Sequence, residues 1–224
     1  MAKTLPRLRA AALASDSEFE LLVVDDDSSD DTVRVSQECG WRVISVKKRQ
    51  IAAVRNAGAA ATTGKFLLFV DADTLVDVAP IRSMLGALRG GAVGGGCLVE
   101  IEGPLPWFIR PYLKVFMWIW NRLGCAAGCF IYSTREDFNA VGGFDEQYFA
   151  SEEVWMSRAL KARGRFVIVP EAVITSGRKA RWHGVLGSYG RLLRLAALGP
   201  WGLRSRKGLD LWYECYREIE PPKG

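Results

Sequence analysis

Three groups of carboxylates in this chain stand where apolar runs end or a helical pattern begins. Asp25-Asp26-Asp27-Ser28-Ser29-Asp30-Asp31 follows the apolar run at 20–24, and Asp71-Ala72-Asp73 follows Lys65-Phe66-Leu67-Leu68-Phe69-Val70. The third group is Gly142-Gly143-Phe144-Asp145 together with Ser151-Glu152-Glu153. Two carboxylates at i and i+2 leaving a strand can reach one divalent cation, directly or through water. Mg2+ and Mn2+ favour such oxygen ligands and keep other positions for phosphate. A departing diphosphate gains negative charge, which a cation held there offsets. Carboxylates at the carboxyl end of a strand, such as Asp25 and Asp26, can accept hydrogen bonds from a base N–H or a ribose hydroxyl. An acid at Glu152 or Glu153 can deprotonate an incoming hydroxyl. Each group also has an ordinary alternative, since acids at a helix start complement its dipole or cap it. Arg55 and Asn56 lie in the small-residue stretch Gln50–Ala61, where Arg55 faces either phosphate or solvent.

Placing these acids in one cleft requires strands that end together. The pattern alternates in the required way. Apolar runs at 20–24, 41–46, 65–70 and 92–99 read as strands, and the stretches between them, 30–39, 50–61 and 78–89, read as helices. The second half continues with an aromatic helix at 106–123, a strand at 128–133, helices at 134–140 and 152–163, and a strand at 165–169 that stops before Pro170. Such alternation predicts an α/β fold, with a Rossmann-like, mostly parallel central sheet flanked by helices. The chain opens unusually for that class, since residues 5–13 read as a helix rather than a strand.

Length and composition fit this reading. The chain has 224 residues, enough for one domain with a full core. The domain is expected over 1–177, with a basic helical C-terminal extension at 178–224. The formal charge of +5 suits an anionic partner. Five cysteines, an odd number without a Cys-x-x-Cys, argue against a disulfide framework and for a reducing cytoplasm. Cys125 and Cys129 are expected to be small buried residues. The first 20 residues lack the apolar core of a signal peptide. Arg110, Pro111 and Lys114 interrupt the most apolar stretch, so no spanning helix is expected.

Taken together and in order, these segments resemble a family 2 glycosyltransferase of the GT-A type over roughly residues 5–177. Phe19–Asp30 resembles that family's first nucleotide-binding segment. Arg55–Gly64 running into Phe69–Thr74 resembles its donor helix and metal motif, and Val141–Glu146 with Ser151–Glu153 its acceptor loop and catalytic helix. The resemblance implies sugar transfer from a nucleotide-diphospho-sugar to a hydroxyl acceptor, by a metal-dependent, inverting, single displacement. Asp26 matches the acid at the nucleobase and Asp25 its neighbour. Asp71 and Asp73 match the Asp-x-Asp pair, with Asp73 nearer the Mg2+ or Mn2+. Glu153 matches the general base, with Glu152 as runner-up. Arg55, Asn56 and Arg178 are assigned to the donor, and Gly143, Phe144 and Asp145 to the acceptor. The resemblance also implies a strand before the first helix, lining the base pocket; either it is absent or the sequence begins after it. Trp155 stands where many members have a second Asp, and Arg178-Lys179-Ala180-Arg181-Trp182 lacks the Gln of a processive synthase.

Between Ala172 and Leu209 the chain carries eight Lys or Arg and no acid. Val185, Tyr189, Leu192 and Ala196 share a helical face, with Arg191 and Arg194 on another. This suits either an anionic membrane surface, at the inner face of the membrane and with a lipid-linked acceptor, or a helix docked on the domain. Arg178, Lys179 and Arg181 could clamp a diphosphate, and His183, the sole histidine, is either a metal contact or an ordinary surface residue. Three other classes compete with this reading: an inactive relative acting as a binding or scaffold protein, a nucleotidyltransferase, and a nucleic-acid binder. The second lacks its Gly-rich basic loop near the N-terminus, and the acidic strand ends argue against the third.

Overall fold

A computed structural model describes residues 1, 3–103, 120, 122–177 and 204. In chain order the elements are α1 (Thr4–Leu13), β1 (Leu22–Asp26), α2 (Thr32–Glu38), β2 (Arg42–Val46), α3 (Ile51–Ala60), β3 (Phe66–Val70) and β4 (Thr74–Leu75). They continue with α4 (Val78–Arg89), β5 (Gly94–Glu102), β6 (Phe130–Thr134), α5 (Arg135–Ala140), α6 (Glu152–Arg163) and β7 (Phe166–Ser176). The fold is α/β, as the alternation predicts, with helices on both sides of the strands.

The strands form two hydrogen-bonded groups. β1 and β2 pair in parallel, from Leu22 opposite Arg42 to Asp26 opposite Val46. The others form a five-stranded sheet in the order β3-β6-β5-β7-β4. That sheet is mixed, which corrects the expectation of a mostly parallel one. β5 and β7 are parallel, whereas β3/β6, β5/β6 and β4/β7 are antiparallel. A helix between two strands returns the chain to the same end and gives parallel neighbours. β6 instead inserts between β3 and β5 and runs against both. Among the described residues, no strand pairs with the second edge of β1 or of β3. Glu20 ties their beginnings together: its Oε1 accepts N–H bonds from Thr63 at 2.8 Å and Gly64 at 3.0 Å.

The core has two faces. On one, Leu5, Leu8 and Ala11 of α1 and Ile81, Met84, Leu85 and Leu88 of α4 pack with Phe130, Tyr132, Val169 and Val173. On the other, Ala52 and Ala59 of α3, Phe138 of α5, and Met156 and Leu160 of α6 pack with Leu67 and Ile131. β6 shows why: Phe130 and Tyr132 point one way and Ile131 the other, following the two-residue period of a strand. The Gly-rich start of β5 also has a cause. A Cβ at Gly95 would lie 1.8 Å from the Val167 carbonyl oxygen and 2.4 Å from the Tyr132 hydroxyl. The Tyr132 hydroxyl crosses there and donates to Val167 O at 2.7 Å. Cys97, Cys125 and Cys129 are buried free thiols, in the role of small core residues.

β7 runs beyond the expected stop at Pro170. Val169 pairs with Cys97 and Ala172 with Leu98, so Pro170 and Glu171 form a bulge where the missing proline N–H disturbs no ladder bond.

Candidate active site

The site is organised around Arg55. α3 packs closely on β1, where a Cβ at Gly58 would come within 3.0 Å of Val24, and it directs the Arg55 side chain toward the end of β3. One guanidinium nitrogen donates to Asp71 Oδ1 at 3.0 Å and to the Gly128 carbonyl at 2.7 Å. Another donates to Glu152 Oε1 at 2.7 Å. Three segments far apart in sequence thus meet on one buried cation: the end of β3, the loop before β6 and the first turn of α6. Glu153 is at the same place, since a Cβ at Gly128 would lie 3.5 Å from an Arg55 nitrogen and 3.8 Å from Glu153 Oε2.

The electrostatics follow from three carboxylates sharing one guanidinium. Burial works against the Arg55 charge, but Asp71, Glu152 and Glu153 more than offset it, and its pKa is raised. Burial pushes both glutamates upward. At Glu152 the ion pair with Arg55 opposes that rise without cancelling it. Glu153 has no such bond. Burial, and then the charge of Glu152, push it up to about 7. Glu153 keeps some exposed surface. Ser151, just before the pair, has φ 61° in the left-handed region, a strained entry for a non-glycine residue.

Asp71 and Asp73 sit on the tight turn between β3 and β4, closed by Thr74 N–H to Asp71 O at 3.0 Å. Both are partly exposed. A hard divalent cation fits this pair, which offers only carboxylate oxygens. Such a cation takes one or two carboxylates and fills its remaining positions with phosphate and water. Among the described residues no group of three or more His, Cys, Asp or Glu forms a ready cage.

Asp25 and Asp26 end β1, away from any described contact with Arg55. Asp25 is buried and accepts the Ser28 N–H at 3.3 Å. Asp26 accepts the Lys48 N–H at 2.7 Å. Asp27, at φ 62°, meets Lys47 and Arg49 at 3.3 Å each, and these bonds hold its pKa below the usual carboxylate range. This end of β1 is therefore braced by the segment after β2.

The loop assigned to the acceptor is built differently from the expectation. Phe144 is 1% exposed, packed edge-on against Phe69 with centroids 5.0 Å apart and lying 5.2 Å from the Arg55 guanidinium carbon. Its ring supports Arg55. Asp145 closes its own turn by accepting the Gln147 N–H at 2.9 Å. Gly143, at φ 77°, lies against Asn56: a Cβ there would be 2.7 Å from Asn56 Oδ1. Asn56, assigned to the donor, bonds Phe144 and Glu146. Residues missed in the sequence include Gly128, whose carbonyl completes the Arg55 cradle, and Gln50, buried at the N-cap of α3 and bonded to the Glu146 and Tyr148 carbonyls. A polar residue before an Ala-rich helix was the only signal for Gln50, and none pointed to Gly128. Arg178, Lys179, Arg181, His183, most of the aromatic stretch 106–123 and all of the basic extension except Arg204 lie outside the described residues.

Comparison with known proteins agrees with this construction. The glycosyl transferase family 2 profile matches residues 2–138, more than half of the chain. No curated protein matches the sequence. Among solved structures, the chain is similar to a mannosyltransferase from Pyrobaculum calidifontis in complex with GDP-Man and Mn2+, with TM-score 0.58 and 16% identity, covering 85% of this chain and 61% of that one. It is also similar to residues 1–349 of S. aureus TarS in complex with UDP, with TM-score 0.57 and 15% identity, covering 78% and 56%. A mycobacterial protein gives TM-score 0.53 at 20% identity, covering 78% and 61%. The chain thus spans about three-fifths of the length of these structures. With this profile match and this fold, the chain belongs to glycosyl transferase family 2 and has the GT-A architecture.

Proposed function

We propose that the chain transfers a sugar from a nucleotide-diphospho-sugar to a hydroxyl acceptor by a single inverting displacement that depends on a divalent cation. The observation that carries this reading is the Arg55 junction. It brings Asp71 of the Asp-x-Asp turn and the Glu152–Glu153 pair to one point, so a donor-side carboxylate and a candidate base share one site. The complexes of the two similar structures, one with GDP-Man and Mn2+ and one with UDP, support the donor class.

In this reading Asp25 and Asp26 meet the nucleoside, and Asp71 and Asp73 would hold Mg2+ or Mn2+. When bound, the cation offsets the charge that grows on the departing diphosphate. Glu153 accepts the proton of the acceptor hydroxyl as its oxygen attacks the anomeric carbon. The bond from that carbon to the diphosphate breaks, and its electron pair leaves with the nucleoside diphosphate. Glu152 stays paired with Arg55 and keeps Glu153 basic enough to act. The acceptor is proposed to be lipid-linked, with Arg178 on the donor diphosphate and the rest of the basic 178–224 segment on an anionic surface. No helix among the described residues is long and apolar enough to cross a membrane.

The test is release of nucleoside diphosphate from a panel of UDP- and GDP-linked sugars with Mn2+. Asp73→Ala and Glu153→Gln should each lower release about 100-fold or more. Equal release by wild type and both variants would refute the assignment. A second reading, a protein that holds the nucleotide without turnover, draws on the edges of β1 and β3 that no strand among the described residues covers. It predicts binding with no release.

A further inference from the structure

Two polar residues of the α3 region, Asn56 and Gln50, bond to the loop that precedes α6. The Asn56 side-chain amide pairs with both main-chain groups of Phe144: Oδ1 accepts its N–H at 2.8 Å, and Nδ2 donates to its carbonyl at 2.9 Å. The second Nδ2 hydrogen goes to Glu146 Oε1 at 2.9 Å. Both donors of the amide are therefore committed, and its oxygen already accepts a bond. Gln50, 9% exposed, extends the same support by donating to the carbonyls of Glu146 and, at 3.3 Å, Tyr148. Gly143 completes the arrangement, because only a residue without Cβ allows the chain this close to Asn56 Oδ1.

We propose that Asn56, assisted by Gln50, is a positioning residue that fixes the 143–148 loop beneath the base-bearing helix α6 and is not a donor ligand. This rests on the reading of Glu153 as the base. The consequence runs through contacts already described. Phe144, held at both main-chain groups, places its ring against Arg55, and Arg55 holds Glu152 at the first turn of α6. A side chain of α3 thereby sets the geometry of the first turn of α6, through the buried Phe144.

The experiment measures amide exchange on the full chain beside calorimetric titration with UDP and GDP in Mn2+, for wild type, Asn56→Ala, Asn56→Asp and Asn56→Leu. Asn56→Ala should speed exchange of the Phe144 amide and the following loop about tenfold or more, with β3 amides and nucleotide Kd within about threefold of wild type. Asn56→Asp keeps an acceptor for the Phe144 N–H but sets a carboxylate against the Phe144 carbonyl and Glu146 Oε1, so it should recover part of the protection that Asn56→Ala loses. Asn56→Leu, similar in shape but without an acceptor, should not, which separates hydrogen bonding from packing. If the alanine variant fails to fold, the aspartate and leucine pair decides. Equal Phe144 protection in all variants overturns the proposal. So does a tenfold loss of nucleotide affinity in Asn56→Ala, with or without faster exchange, because Asn56 would then serve the donor. If wild type binds neither nucleotide, the donor reading falls by itself, while the exchange comparison still decides the role of Asn56.

Discussion

At the scale of single residues, the account turns on how one guanidinium serves three acids. Removing it leaves Glu152, 3% exposed, as a buried carboxylate without its counter-charge. Breaking such a pair from one side costs about 3–5 kcal/mol. Arg55→Ala should lower the unfolding free energy by that amount in urea titrations. Arg55→Lys should recover little, since an ammonium lacks the planar fork that reaches Asp71, Glu152 and Gly128 together. An Arg55→Ala variant as stable as wild type would contradict the junction. Glu153 gives a pH signature of definite sign. With its pKa raised to about 7, it binds a proton more tightly folded than unfolded. Its stabilising contribution is complete below the ordinary glutamate range and is lost as pH rises towards about 7. Unfolding free energy should therefore fall across that window in wild type and fall less in Glu153→Gln; parallel curves would count against the assignment. Catalysis runs the other way, since only the carboxylate accepts a proton, so nucleoside diphosphate release should rise as pH passes through about 7.

Elements place these residues, and their packing explains which parts of the sequence were informative. The apolar runs ending in Asp25–Asp26 and Asp71 were readable as strands because their two ends differ so sharply in polarity. The acceptor segment was not, because a Gly-Gly-Phe-Asp sequence does not reveal that Phe144 turns inward against Phe69 and Phe138. Nor could a Pro170 stop be distinguished from a bulge without the partner strand. Two substitutions test the element account on different scales. Gly95→Ala brings a methyl into the Val167 carbonyl and the Tyr132 hydroxyl, two fixed groups. It should cost about 3 kcal/mol or more, or leave the chain insoluble. Thr134→Ala removes the side chain that accepts the Asp137 N–H at the start of α5, at 3.0 Å. Its cost should be about 1 kcal/mol. Thermal or urea unfolding of the two variants should rank them in that order, and the reverse ranking would mean that close strand approach does not explain the glycines of β5.

For the whole molecule, the fold class was legible because the helix and strand periods alternate cleanly over the first hundred residues. The strand order was not, because β6 enters from the opposite end, which no local pattern reports. The paired strands β1 and β2 carry the proposed nucleoside side, and the five-stranded sheet carries Asp71 and Asp73. α3 contacts both regions: Gly58 lies against β1, while Arg55 binds Asp71 at the end of β3. The two parts act as one site only if a nucleotide and a cation are held together by residues from both. Titration of UDP and GDP with and without Mn2+, on wild type and Asp73→Ala, tests this most directly. Mn2+ should strengthen nucleotide binding about tenfold or more in wild type and should not strengthen it in Asp73→Ala. Binding that ignores Mn2+, or a wild type that binds neither nucleotide, would contradict it.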